Sequence, residues 1–141
     1  MQKHEKHAGQ FVEIAPDCGL EAAVVPQERG GKPTVATLEH EILRGKPYHY
    51  TLEELKFAVF VRRRQLSPAE VRARRKELWA ECFAKPHACM RASPLAKQYG
   101  WGAHYDERGR IAIHAVESAE YRRLVRDRAV EKLPAMRSKR G

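Results

Sequence analysis

A chain of 141 residues and 16.2 kDa with 27 Lys+Arg against 18 Asp+Glu carries a formal charge of +9. Its 43% hydrophobic content is too high for a disordered chain, and its longest apolar run, Phe57–Val61, is far short of the about 20 residues that span a bilayer. Three irregularly spaced cysteines and an N-terminus leading into no apolar stretch point to a cytoplasmic protein with no disulfide framework and no membrane partner.

The length predicts one domain over residues 10–132, with 1–9 and 133–141 as flexible polar or basic tails. Phe11–Ile14 reads as a short strand closed by Pro16, and Ala22–Val25 as a second one ended by Pro26. Glu28–Pro33 is a loop by composition. Its Arg29-Gly30-Gly31-Lys32 lacks the spacing of a phosphate-cradling loop. A helix is expected from Thr34 to Arg44, with Val35, Leu38 and Ile42 on one face and Gly45 as its stop. Thr51 and Glu54 form a capping box for a helix starting at Leu52, and Phe57–Val61 is taken to continue it. Ser67-Pro68-Ala69-Glu70 combines an N-cap, Pro at the first helical position and Glu at the third, predicting a helix to about Phe83.

A short helix follows Ser93-Pro94 and stops near Gly100. Residues 100–116 then read as a hairpin around Asp106–Gly109, with Ile111, Ile113 and Ala115 alternating as a half-buried strand does. Ser118 caps a last helix to about Ala129, with Tyr121, Leu124 and Val125 facing inward. The expected fold is α+β, a small antiparallel sheet around the 100–116 hairpin packed against four to five helices. Hairpin register stays open. A three-residue loop puts His104 opposite Ala112 and on one face with His114, near Glu117; a four-residue loop separates the two histidines. No metal or cofactor is expected.

Two charges conflict with their helices. At steps of about 100°, Arg75 falls among Val71, Leu78 and Cys82, and Glu39 among Val35, Leu38 and Ile42. A charge on an apolar stripe must reach water or find a partner. Arg75 is expected to snorkel out or to pair with Glu39.

Charge along the chain is uneven as well. Residues 1–60 hold 7 basic and 9 acidic side chains, and residues 61–141 hold 20 and 9. A basic half attracts polyanions. Nucleic acid or an acidic partner would meet Arg62, Arg63, Arg64, Arg122, Arg123 and Arg126, provided these gather on one surface.

The densest polar and aromatic cluster is Cys89–Gly102. Arg91, the helix start at Ser93 and Lys97 would hold an anion, while Tyr99 and Trp101 supply flat walls and His104 follows in the hairpin. The leading functional expectation is therefore a binding module for an anionic small molecule. An enzyme using Ser93, Cys89 or His104 is a further alternative. The run Cys89–Gly102, the turn Asp106–Gly109 and Ala115–Tyr121 resemble a bacterial family known only as a domain of unknown function. Asp17-Cys18, Val25-Pro26, Gly30–Ala36 and Pro47-Tyr48 are similar to it too. The resemblance implies a small single-domain protein and marks Arg91, Ser93, Lys97, Tyr99, Gly100, Trp101 and Gly102 as its defining patch. It implies no activity, cofactor or catalytic residue.

Overall fold

A computed structural model describes residues 7–138. Its elements in chain order are β1 (Gln10–Glu13), α1 (Val35–Gly45), α2 (Leu52–Arg63), α3 (Pro68–Cys82), α4 (Pro94–Gln98), β2 (Trp101–Tyr105), β3 (Ile111–Ala115), α5 (Ala119–Arg126) and β4 (Glu131–Pro134). Strand order is β3-β2-β1-β4, with β1 and β3 antiparallel to β2 and β4 parallel to β1. The α+β expectation holds, with one parallel pair added to the sheet.

Adjacent Phe11 and Val12 point to opposite faces, and both are buried, so β1 is covered on both sides. On one face Val12, Trp101, Ala103, Tyr105, Ile111 and Ile113 meet Leu38, Ile42 and Leu43 of α1, Leu55 of α2 and Leu95 of α4. On the other, Phe11 packs with Tyr121 and Leu124 of α5, its ring edge-on to Tyr121 at 4.9 Å. A third cluster, Phe57, Leu78 and Cys82, fastens α3 to the outer side of α2.

The predicted caps form. Thr51 Oγ1 accepts from the Glu54 amide while Glu54 Oε1 accepts from the Thr51 amide, and Ser67 Oγ accepts from Glu70. Phe57–Val61 lies inside α2, as expected. Helix α1 runs through Gly45, which does not stop it.

Four expectations need correction. Ala22–Val25 is no strand, because both edges of β2 are already taken by β1 and β3. Instead the segment docks across the α4–β2 junction, where the Val24 amide donates to the Tyr99 carbonyl at 2.9 Å. Helix α5 ends at Arg126, since Asp127 turns the chain by accepting from the Ala129 amide, and Val125 is exposed. Leu133 and Pro134, expected in the C-terminal tail, belong to β4. The Ala135 amide donates to Glu13, Met136 to Arg91 and Ser138 to Asp17. Proline is tolerated there because β4 is an edge strand. At the other end, residues 7–9 are also docked: His7 stacks on Tyr105, and the Gly9 amide donates to the Tyr105 and Asp106 carbonyls. Residues 1–6 and 139–141 of the predicted tails lie outside the described residues.

Candidate functional site

The predicted anion patch is built into the scaffold. Ser93 is 3% exposed; its hydroxyl donates to Glu39 Oε1 at 2.6 Å and accepts from the Leu95 amide at 3.1 Å. Arg91 Nε donates to the Pro134 carbonyl at 2.8 Å, tying the short turn before α4 to β4. The Trp101 indole donates to the Val24 carbonyl, and its ring sits beneath Arg44 and against His40. Tyr99 and Cys89 pack partly buried against the main core, and Lys97 is half-buried on α4. Arg91 and Ser93 thus turn to different partners, on β4 and α1. The Ser93 oxygen is committed twice, to the Glu39 carboxylate and to the Leu95 amide.

Glu39 finds a partner, but it is not Arg75. Packing α1 against α2 brings Lys56 Nζ to 3.5 Å from Glu39 Oε2. With Ser93 on its other oxygen, the carboxylate is held between a hydroxyl and an ammonium. Arg75 takes the snorkelling route and rests its guanidinium over the Phe57 ring at 5.0 Å.

The six arginines of the basic half do not share a surface. Helix α2 packs on the α1 side of the sheet and α5 covers the opposite face. Arg62 pairs with Glu41, Arg64 with Glu81 and Arg123 with Glu120, while Arg122 donates to the Glu117 carbonyl.

A different concavity forms where α1, α2 and the segment after α3 meet. A cavity of about 530 Å³ is lined by Val35, Glu39, Lys56, Val59, Phe60, Arg63, Arg64 and His87. Beside it lies a second, also about 530 Å³, lined by Leu52, Glu53, Lys56, Trp79, Phe83, Lys85, Pro86 and His87. Lys56 and His87 belong to both. His87 is anchored because its Nε2 donates to the Cys82 carbonyl at 2.8 Å, closing the C-terminal end of α3. Aromatic rings run continuously along this side: Phe57 to Trp79 at 5.0 Å, Trp79 to Phe83 at 4.8 Å and Phe83 to His87 at 5.2 Å. Arg64 is committed to Glu81 and to the Phe60 face. Among the described residues, Arg63 and Lys85 form no ion pair and remain available. Sequence reading reached Arg63 and Arg64 only as part of a basic run. Lys56 and His87 carry no local signal, since their meeting depends on how α1, α2 and α3 pack.

On the far face of the sheet the hairpin adopts the register with His104 opposite Ala112, so His104 and His114 share a face. Tyr48 fills the space between them, its hydroxyl 2.8 Å from His104 Nδ1 and 3.1 Å from His114 Nε2. It gets there because the α1–α2 loop folds along the edge of β3. The Tyr48 amide donates to the Ile111 carbonyl, Tyr50 accepts from the Ile111 amide, and Tyr48 itself takes a positive φ of 56°. That φ is uncommon for an aromatic residue and is held by the two edge hydrogen bonds. Burial lowers the pKa of both histidines and raises Tyr48 to about 12, with nearby Glu120 also raising Tyr48. Glu117, expected near the histidines, instead accepts from the Ala23 amide at 2.9 Å. A cavity of about 600 Å³ opens beside His104, lined also by Asp106, Glu107, Arg108 and Arg110 of the hairpin turn.

Among the described residues, no helix is long and apolar enough to cross a membrane. No curated protein and no solved structure matches the chain. DUF6157, a family of unknown function, matches residues 1–141, and the chain belongs to it.

Proposed function

We propose that the protein is a binding module for a small organic anion with a flat apolar body, a nucleotide-like monophosphate or an aromatic carboxylate, held in the double cavity around Lys56 and His87. One observation carries this reading: the two side chains are shared by adjoining cavities, one flanked by arginines and the other walled by Trp79 and Phe83. Each cavity falls within the few hundred to about 1,000 Å³ usual for small-molecule sites. Among the described residues, Arg63 and Lys85 form no ion pair, so their positive charge is open to a ligand. Lys56 lines both cavities with its Nζ drawn to Glu39 at 3.5 Å, so its charge is partly offset there. The aromatic wall accepts a ring, and the basic end accepts the charge. This keeps the chemistry expected from the sequence and moves it from Arg91, Ser93 and Lys97 to another part of the fold.

The test is thermal denaturation with adenosine monophosphate, adenosine, inorganic phosphate and benzoate in parallel. A ligand at 100 times its dissociation constant stabilises by about 2.7 kcal/mol, on the order of 10 °C for a chain of this size. The anions that carry a ring are expected to stabilise more than phosphate or adenosine alone. Arg63→Glu with Lys85→Glu, both at exposed positions, abolishes the shift without lowering the unliganded Tm by more than a degree or two. A shift that survives the double reversal, or none with any probe, refutes the proposal.

A further inference from the structure

We infer that Tyr48, His104 and His114 form a binding site for one divalent first-row transition ion of the Zn²⁺ or Cu²⁺ class, on the sheet face opposite the anion cavity. Three donor atoms from three chain segments converge: Tyr48 Oη stands 2.8 Å from His104 Nδ1 and 3.1 Å from His114 Nε2. The hairpin supplies the two imidazoles from a diagonal cross-strand pair, a placement fixed by the His104–Ala112 register. The third donor comes from outside the sheet, and its positive-φ backbone is pinned to β3 by the Tyr48 amide and the Tyr50 carbonyl, both bonded to Ile111. Side-chain drift therefore does not set the convergence.

Tetrahedral zinc sites place nitrogen and oxygen ligands about 2.0–2.1 Å from the metal, so neighbouring donors stand about 3.3 Å apart. The two present separations need to open by only a few tenths of an ångström. Two imidazoles with one phenolate suit zinc and copper better than the hard ions magnesium or calcium, and the general affinity order places Cu²⁺ above Zn²⁺. The Tyr48 hydroxyl donates to one ring, so the facing nitrogen of the other carries its proton and donates back. On binding, that proton moves to the ring's opposite nitrogen by exchange with solvent, the ion takes the lone pairs of His104 Nδ1 and His114 Nε2, and the Tyr48 hydroxyl proton leaves to solvent as the ion replaces it. A water completes four-coordination. All three donors are half-buried, leaving an approach from solvent.

The experiment titrates the full, untagged, reduced chain with Zn²⁺ by calorimetry and with Co²⁺ by visible absorption. The expected result is one Zn²⁺ per chain and the intense visible bands of four-coordinate cobalt. A sulfur-to-cobalt charge-transfer band would place the ion on Cys18 or Cys89 and overturn the inference. His104→Gln, His114→Gln and Tyr48→Phe each weaken Zn²⁺ binding by about tenfold or more. His4→Gln with His7→Gln leaves it unchanged, separating this site from the N-terminal histidines. The cobalt spectrum needs no variant, so it still decides if a substitution prevents folding. Absence of stoichiometric uptake, or uptake lost with the His4/His7 variant, also overturns the inference.

Discussion

Removing the ammonium behind the buried carboxylate tests how this protein holds a charge inside its core. Glu39 is 1% exposed, with Lys56 at 3.5 Å and the Ser93 hydroxyl at 2.6 Å as its partners. Lys56→Met keeps the aliphatic packing but leaves the carboxylate with one hydrogen bond and no counter-charge. Breaking a buried pair in this way costs about 3–5 kcal/mol. Lys56 is 15% exposed, so water entering the cavity it lines offsets some of that loss, and about 3 kcal/mol is expected. Glu39→Gln retains an acceptor for Ser93 and frees Lys56 to extend toward solvent, for a cost of about 1–2 kcal/mol. The double variant no longer buries a charge and should lie within about 1 kcal/mol of Glu39→Gln alone, a coupling of about 3 kcal/mol. Urea denaturation at pH 7 measures all four proteins, with the midpoint moving and the slope constant. If Lys56→Met costs less than about 1 kcal/mol, or if the two costs simply add, the carboxylate does not depend on Lys56 and the reasoning fails.

Two further outcomes follow from the same packing. A Cβ at Gly102 would stand 2.7 Å from Phe11 Cζ and 2.7 Å from Tyr121 Cε2, so Gly102→Ala must displace two buried rings. A loss of about 2–3 kcal/mol in urea is expected; a loss below about 0.5 kcal/mol would mean that the α5 face yields freely. Burial lowers the pKa of His104 and His114 in the folded chain, while in the unfolded chain they titrate near 6.5. The unfolded state therefore binds protons first, and stability present above about pH 6.5 declines as pH falls below it. A melting series from pH 8 to 5 should show this decline, reduced in His114→Gln. A flat profile contradicts the burial argument.

Local signals in the sequence were strong where one residue type did one job. The Thr51/Glu54 box and the Ser67-Pro68 start define their helices from within a single turn, so packing did not have to be known. Alternation in Ile111–Ala115 likewise marked β3. Strand β4 gave no such signal, since Glu131-Lys132-Leu133-Pro134 offers one aliphatic residue and a proline. Only the free edge of β1 makes it a strand. The dispersal of the expected anion patch has a related cause. Arg91, Ser93 and Trp101 cluster in sequence, but Arg91 Nε, the Ser93 hydroxyl and the Trp101 indole each bond to a distant segment: Pro134, Glu39 and Val24. Glu39 was recognisable as a charge needing a partner. Which partner it meets depends on the crossing of α1 over α2, and no local pattern encodes that. Tyr48 was equally hidden, since its place between two histidines comes from a loop turning over a sheet edge.

The most direct measurement of the binding account is a nitrogen–proton correlation spectrum of the full chain titrated with adenosine monophosphate. Saturable shifts are predicted at Lys56, Arg63, Lys85 and His87 and at the Trp79 indole, weakening as salt is raised. Shifts centred instead on Arg91, Ser93 and Lys97, or a spectrum that adenosine monophosphate and benzoate both leave unchanged, would contradict it.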